Sequence, residues 1–236
     1  MGFNTDIDIS KIEGLDPTNS RVDVSNKMLD HGGFIFADFL EHRKITIRGN
    51  ISGGANFDAA LLALKTAFLP QVATLPFTFK IPGYVEQRIN CLPTRRNYDI
   101  DNAYSLSYAE FLVELQAEDP RIYSEALVVS TDSSPMTLTN DGIFPTPLII
   151  ELTGSTTDPT TIVNSTVGST LEFDIALGAG EVLLIDVLNR SVKLDGVNRY
   201  DLLDLVNSEW WYLAPGANTV TYSGGTIEVS YRHAWL

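Results

Sequence analysis

Cysteine and positive charge are the two features that this 236-residue sequence has least of. Cys91 is the single cysteine, so no disulfide can form within the chain. Because no Cys-His context surrounds it, we expect a small, partly buried hydrophobic residue rather than a nucleophile. The sequence has 16 Lys and Arg residues and 30 Asp and Glu residues, which gives a formal net charge of −14. Nucleic-acid binders concentrate basic residues on one face, so DNA is disfavoured as a ligand.

Long apolar runs and a leader sequence are also missing. No stretch approaches the ~20 apolar residues that a membrane span needs, so no membrane insertion is expected. Residues 1–6 lack a basic region followed by an apolar core, which predicts synthesis and folding in a cytoplasm. The glycosylation patterns that begin at Asn50, Asn164 and Asn189 are then expected to be chance matches.

No catalytic constellation is visible either. Gly-x-Ser-x-Gly, GxGxxG and Walker sequences are absent, and the regular spacing of a calcium loop is missing. Carboxylate pairs are interpreted as solvated loop charges rather than an acid/base couple: Asp99 with Asp101, and Asp201 with Asp204. The histidines are too scattered for a metal pattern: His31, His42 and His233. The sequence therefore predicts no enzyme, no cofactor, no metal site and no catalytic residue.

One helix is predicted, from Asn56 to Leu69. Asn56 can cap it, Asp58 suits the positive end of the helix dipole, and Pro70 stops it. An apolar stripe along one face of the helix consists of Phe57, Leu61, Leu64 and Phe68. Leu62 and Leu69 lie off or beside this stripe. The helix either covers a sheet, which is the favoured reading, or packs against a neighbouring subunit.

Strands are predicted through the rest of the chain. In the first half, period-two alternation or short apolar runs mark 7–12, 34–40, 44–51, 75–81 and 85–93, and one long strand at 104–115, preceded by a loop at 94–101. Residues 130–141 resemble a linker or a linker with a short edge strand. Beyond them, short strands separated by Gly- and Asn-rich turns predict an antiparallel sandwich, with a hairpin at Asp195-Gly196.

The most distinctive stretch is 208–222, Ser-Glu-Trp-Trp-Tyr-Leu-Ala-Pro-Gly-Ala-Asn-Thr-Val-Thr-Tyr. Pro215-Gly216 predicts a reversal, and Val220 and Tyr222 are expected on one face of the strand after it. Trp210 and Trp211 are adjacent, so in extended backbone they point to opposite sides. One of them is expected in the core, and core packing is favoured over stacking on a sugar.

In order along the chain, these pieces resemble the distal tail (Dit) proteins of long-tailed, non-contractile phages. The resemblance rests on 208–222, on Pro147–Gly154, on Gly180–Asp186 and on Val192–Gly196. Upstream, the helix that ends at Pro70 and the segment from Phe111 to Tyr123 also fit. The similarity spans nearly the whole chain and is strongest from Pro145 onward.

The resemblance implies a mainly β fold in two domains. Residues 1–130 would form an N-terminal belt domain, a β-barrel with one α-helix, and residues 131–236 a C-terminal galectin-like β-sandwich. It also implies a homo-hexameric ring in the virion that joins the tail tube protein to a tail tip or baseplate hub protein of the tail-associated lysozyme or fibre type. DNA would pass through the lumen without specific binding, and an acidic wall would suit that passage. The family carries over no catalytic residue. The alternative is a carbohydrate-binding module that acts in host-cell adsorption; an uncharacterised hydrolase ranks third.

Overall fold

A computed structural model describes residues 6–17, 19–28, 31–52, 54–99 and 102–236. Within these ranges it contains one α-helix, three short 3-10 helices and nineteen strands. The first half has β1 (Ile7–Glu13), β2 (Ser20–Asn26), β3 (Gly33–Leu40), β4 (Arg43–Ser52), α1 (Phe57–Ala67), β5 (Leu75–Phe79), β6 (Gln87–Tyr98) and β7 (Tyr108–Ala117). The 3-10 helices are Gly54–Asn56, Asn102–Leu106 and Tyr200–Leu202.

The second half consists of short strands. They are β8 (Ile122–Ser124), β9 (Val128–Ser130), β10 (Met136–Asn140), β11 (Leu148–Thr153), β12 (Thr160–Asn164), β13 (Ser169–Phe173), β14 (Val182–Asp186), β15 (Ser191–Leu194), β16 (Val197–Asn198), β17 (Gly216–Tyr222), β18 (Thr226–Tyr231) and β19 (Ala234–Trp235). Two compact units result: residues 6–78, 88–120 and 236 form the first, and residues 79–87 and 121–235 form the second. The predicted fold class, mainly β with one helix in the N-terminal half, is confirmed.

The first unit is built on an antiparallel sheet in the order β1-β4-β7-β6, with β5 paired to β6. Alternation along β4 sends Ile45, Ile47 and Ile51 into the core, fully buried, while Lys44 and Arg48 stay exposed on the other face. Helix α1 packs on β4 through the predicted stripe, whose four members are buried: Phe57, Leu61, Leu64 and Phe68. The favoured role of the helix, covering a sheet, is therefore confirmed.

Strands β2 and β3 form a separate antiparallel ribbon, in which Val24 lies opposite Ile35 and Arg21 opposite Phe39. Every residue of β2 is exposed. Only β3 was recognised as a strand from the sequence, because β2 is mostly polar and has no buried face to produce an apolar period.

A buried arginine holds the segment that leads into this ribbon. Arg43 is 1% exposed, and its guanidinium donates to three backbone carbonyls: Gly14 O at 2.9 Å, Asp16 O at 2.6 Å and Pro120 O at 2.8 Å. Burial lowers the pKa of Arg43, an effect that nearby Asp16 opposes. The charge-assisted hydrogen bonds to Gly14 and Asp16 fix the chain between β1 and β2, and the one to Pro120 holds the segment that follows β7.

The second unit contains two antiparallel sheets around one core. Their orders are β10-β17-β12-β13 and β16-β15-β14-β11-β18-β9, and β8 pairs with β19. Inward residues of both sheets form one apolar cluster, which includes Leu138 and Phe173 from the first sheet and Ile150 and Val229 from the second. The predicted hairpin at Asp195-Gly196 is present, with Leu194 opposite Val197. This arrangement is a β-sandwich.

Two local predictions need correction. The strand predicted at 104–115 begins only at Tyr108, because Asn102–Leu106 form a 3-10 helix. The loop predicted at 94–101 is strand β6 as far as Tyr98. Of the two readings of 130–141, the linker with a short edge strand is confirmed, because residues 136–140 form the edge strand β10. The strand predicted after Pro215-Gly216 is β17 (Gly216–Tyr222).

None of the helices in the described part of the chain is long and apolar enough to cross a membrane.

Candidate functional site

The stretch from Ser208 to Tyr222 belongs to the core of the sandwich rather than to an open cleft. Trp211 is 3% exposed and Leu213 is fully buried, while Trp210 and Tyr212 are half-buried and pack at the edge of the core. Leu213 pairs with Thr146 through two backbone hydrogen bonds. Thr146 N donates to Leu213 O at 3.0 Å, and Leu213 N donates to Thr146 O at 2.9 Å. The expectation that one tryptophan enters the core is confirmed, and that tryptophan is Trp211.

The turn at Pro215-Gly216 is closed by the side chain of Asn218, which has no exposed surface. Asn218 Oδ1 accepts from Ala214 N at 3.0 Å, and Asn218 Nδ2 donates to Ala214 O at 2.8 Å and to Gly216 O at 3.0 Å. Gly216 has φ +85°, a conformation that glycine adopts without steric cost. The Pro-Gly-x-Asn pattern is therefore one device, in which the asparagine satisfies backbone groups that the reversal leaves unpaired.

Two further asparagines are fully buried: Asn140, which was not singled out from the sequence, and Asn164, which was named only as the start of a glycosylation pattern. Asn140 Oδ1 accepts from Gly142 N and Ala234 N, and its Nδ2 donates to Phe144 O at 2.8 Å. Gly142 lies so close to Ala234 that a Cβ would collide with the carbonyl oxygen of Ala234. Asn164, another fully buried residue, accepts from Thr166 N at 3.1 Å. Its burial makes glycosylation at this pattern incompatible with the fold.

Aromatic side chains at the edge of the sandwich are held by neighbours. Trp210 stacks on Tyr200 with ring centroids 6.5 Å apart and planes 13° apart, and Tyr200 keeps 39% of its surface exposed. The guanidinium of Arg121 lies 5.2 Å from the ring of Tyr212 and 5.6 Å from that of Phe144. Tyr212 is thus covered by a cation, and the Tyr200–Trp210 pair is the partly open aromatic surface of this region.

The carboxylates that the sequence paired are bound locally. Arg199 donates to Asp201 at 3.1 Å, and this hydrogen bond is the main reason that the pKa of Asp201 is lowered. Asp204 accepts from the backbone N–H groups of Val206 and Asn207, which lower its pKa. Both act as turn and surface partners, in line with the interpretation as loop charges.

A shallow polar depression lies on the exposed face of the sheet in the first unit, with a volume of about 370 Å³. Its charged lining consists of Arg48, Asp99 and Glu110. Asn97 donates to Asp99 at 2.8 Å and Tyr108 donates to Glu110 at 3.3 Å, and both carboxylates are exposed. Asp101, the other half of the Asp99 pair, lies outside the described residues.

Metal ligands and nucleophiles do not converge in the part of the chain that the structure describes. No three His, Cys, Asp or Glu side chains there could hold a metal ion together. His233 Nδ1 accepts a hydrogen bond from Asp141 N at 3.0 Å, which occupies the acceptor nitrogen. Cys91 is 4% exposed, and burial raises the pKa of its thiol to about 11. It behaves as the buried hydrophobic residue that the sequence predicted.

Comparison with known proteins points to a phage tail. Residues 141–235 match the family model described as "Siphovirus-type tail component, C-terminal domain". A search of curated proteins found no match. The stretch 208–222 and most of the other pieces that carried the resemblance lie inside the matched residues.

The fold of the whole chain is shared with solved tail structures. The crystal structure of SPP1 Dit, titled a paradigm of the hub adsorption apparatus in phages that infect Gram-positive hosts, superposes with a TM-score of 0.74 at 14% identity, over 98% of this chain and 94% of that one. A chain of the phage P2 baseplate in its activated conformation with Ca gives a TM-score of 0.51 at 7% identity, over 96% and 91%. The corresponding structure with Sr gives the same values.

Residues 141–235 therefore match a siphovirus-type tail component domain, and the chain shares its fold with the solved SPP1 Dit structure. The resemblance to Dit proteins that the sequence indicated is confirmed.

Proposed function

We propose that this chain is a structural hub component of a long non-contractile phage tail. In this role six copies form a ring in the virion that joins the tail tube protein to a tail tip or baseplate protein. The observation that carries the proposal is the family match of residues 141–235 together with a Dit fold over 98% of the chain. The described residues add support, because their unusual polar groups build turns and strand junctions rather than a reaction centre.

The size of the particle in solution tests the proposal. Light scattering coupled to size exclusion should give six times the chain mass of 26.0 kDa. A stable monomer over the micromolar range would contradict the ring.

We also propose that the chain has two domains with different structural roles. Residues 1–130 would build most of the ring, and residues 131–236 would form the β-sandwich domain, for which a galectin-like topology stays a prediction. Limited proteolysis of the assembled protein tests this assignment. Cleavage near residue 130 should leave a particle that is still hexameric, whereas dissociation into single N-terminal fragments would contradict it.

DNA passage through the ring is the part of the proposal that concerns charge. The net charge of −14 suits a wall that does not retain passing DNA. Electrophoretic mobility of duplex DNA at low salt should be unchanged by the protein. A complex that dissolves as salt is raised would refute this reading.

Saccharide binding is the second candidate, because one observation favours it. The stacked pair Tyr200–Trp210 leaves aromatic surface open, and in the same sandwich exposed Asn207 donates a hydrogen bond to half-buried Glu172 at 3.3 Å. A glycan array should show no hits if the hub role is the whole function. Hits that disappear in Trp210→Ala would establish the saccharide role instead.

A further inference from the structure

Strand β10 lies at the edge of its sheet, where one side of its backbone has no neighbouring strand. Its other side pairs with β17, with Thr139 opposite Ala217. An unpaired edge presents a row of N–H and C=O groups to which a strand of another chain can add. The strand itself, Met-Thr-Leu-Thr-Asn, contains no charged residue and no proline, the usual means of preventing such pairing.

A tyrosine from the opposite sheet caps the middle of this edge. Tyr231, the last residue of β18, is 5% exposed, and its hydroxyl reaches the backbone of Thr139. The hydroxyl accepts from Thr139 N at 3.1 Å and donates to Thr139 O at 2.9 Å. In an antiparallel ladder, a residue of the next strand would make both of these hydrogen bonds. One side-chain oxygen therefore takes the place of a strand.

A histidine caps the same edge two residues further along. Successive residues of a strand direct their backbone groups to alternate sides, so Thr139 and Asp141 share the outward side. Asp141 N donates to His233 Nδ1 at 3.0 Å. The ring of His233 stands edge-on to those of Tyr231 and Trp235, with centroids 6.0 and 6.3 Å apart. The two caps are two residues apart in the chain, which matches the spacing of the two capped residues.

The backbone that carries these caps is anchored on both sides. We call residues 231–235 the C-terminal strap. His233 N donates to Ser124 Oγ at 3.1 Å, and Ser124 N donates to His233 O at 2.9 Å. On the other side, Ala234 O accepts from Phe144 N at 3.1 Å. These hydrogen bonds hold the two capping side chains against β10.

The capped edge has little left to offer a further strand. Thr137 also directs its N–H outward, and among the described residues nothing caps it. Pro135, two residues earlier, has no N–H to donate. A very short open edge does not support pairing with another chain. The strap therefore reduces the β10 edge to one open donor.

We infer that the C-terminal strap is a conformational device that closes the β10 edge to strand addition by a second copy of this chain. Without the two caps, the outward groups of Thr137, Thr139 and Asp141 form a continuous edge. A second copy is the occupant that fits, because two identical antiparallel edges related by a two-fold axis place donors opposite acceptors. The inference does not rest on the proposed ring.

Hydrogen exchange of single amides tests the capping. Tyr231→Phe deletes the hydroxyl and keeps the ring in the core. His233→Phe deletes the acceptor nitrogen and keeps an aromatic ring beside its neighbours. Amide exchange should rise about tenfold at Thr139 in the first variant and about tenfold at Asp141 in the second, the effect of losing one hydrogen bond of ordinary strength. Mass spectrometry with fragmentation that resolves single amides is the measurement.

Two controls separate a local cap from general loosening of the sandwich. Leu138 directs its N–H toward β17, so its exchange should stay within about twofold in both variants. Tyr222→Phe removes another hydroxyl of the same sandwich, which donates to Asp132 O at 3.2 Å, and should leave the exchange of Thr139 unchanged. A rise at Leu138 as large as that at Thr139 would show that Tyr231 only packs the core, and would overturn the inference.

Cross-linking tests whether the uncapped edge accepts a second copy. Thr137→Cys, at an exposed position of β10, is placed in the wild type and in the double variant Tyr231→Phe/His233→Phe. Cys91 is buried and contributes no product. A short bismaleimide should join two chains several-fold more in the double variant. Adding Thr139→Lys to the double variant should return the yield to that of the wild type, because a charge on an edge opposes edge-to-edge pairing.

The outcomes are distinct. Unchanged exchange at Thr139 and Asp141 overturns the assignment of the two caps. Raised exchange without additional cross-linking, or cross-linking that Thr139→Lys does not suppress, overturns the role in preventing strand addition. Both measurements compare variants with the wild-type particle whatever its number of copies, so a failure of the proposed ring and a failure of this inference are seen separately.

Discussion

Truncation of the two adjacent tryptophans measures how the sandwich is organised. Trp211→Ala deletes a side chain that is 3% exposed in the core, whereas Trp210→Ala deletes one that is half-buried at its edge. The two changes are chemically identical and one residue apart, so each serves as the control for the other.

The magnitudes follow from burial. A buried tryptophan removes roughly 200 Å² of apolar surface from water, and its loss leaves a cavity, so Trp211→Ala should lower the free energy of unfolding by about 3–5 kcal/mol. Trp210→Ala exposes about half as much apolar surface as Trp211→Ala, and it opens no enclosed cavity because its site borders solvent. We expect about 1–2 kcal/mol.

The indole N–H of Trp211 refines the prediction. Trp211 Nε1 is buried and has no hydrogen-bond partner. Replacement by phenylalanine therefore removes an unsatisfied donor while keeping most of the packing. Trp211→Phe should cost only about 1–2 kcal/mol, which is less than Trp211→Ala.

Urea unfolding followed by far-ultraviolet circular dichroism is the suitable assay, since fluorescence would change directly with each tryptophan removed. All variants are compared at one protein concentration, because assembly shifts the apparent stability. Equal midpoints for Trp210→Ala and Trp211→Ala, or a larger loss for Trp210→Ala, would refute the assignment of Trp211 to the core.

Three further predictions concern single side chains. Asn218→Ala should lower the free energy of unfolding by about 2–3 kcal/mol in urea titrations, because buried backbone groups lose their hydrogen-bond partner. The control Asn207→Ala, at an exposed turn, should lower it by less than about 1 kcal/mol. By the same measurement, Arg43→Met should lower the free energy of unfolding by about 3–5 kcal/mol, and Lys44→Met at the exposed neighbour should lower it by less than about 1 kcal/mol. Similar losses in the two variants would show that the buried arginine does not hold its segment. Cys91 should react with a thiol reagent at pH 8 only after unfolding, and fast labelling of the native protein would contradict this. Because burial raises the pKa of its thiol from 9.0 to about 11, the contribution of the protonated thiol to the free energy of unfolding is complete below pH 9 and is lost between pH 9 and 11.

Much of the strand pattern could be predicted because the described sheets other than the ribbon β2–β3 have a buried face. The alternation in β4 and β11 follows directly from that burial, and the stripe of α1 follows from packing on β4. The signature at 208–222 was informative for the same reason, since Trp211 and Leu213 alternate with half-buried neighbours.

What could not be predicted depends on contacts distant in sequence. Tyr104 belongs to a 3-10 helix rather than a strand, and its ring packs edge-on against Phe57, 5.1 Å away between centroids. Ser107 then takes a φ of +59° to turn into β7. No local pattern encodes a partner 47 positions earlier in the chain. The hydrogen-bonding role of the buried asparagines could not be predicted because it depends on which backbone groups the fold leaves unpaired.

The central claim is that this chain forms the hub ring of a phage tail, and electron microscopy of the purified protein tests it most directly. Class averages of end-on particles should show a ring with six-fold symmetry and a central opening. Averages that show single chains, or a closed assembly without an opening, would contradict the account.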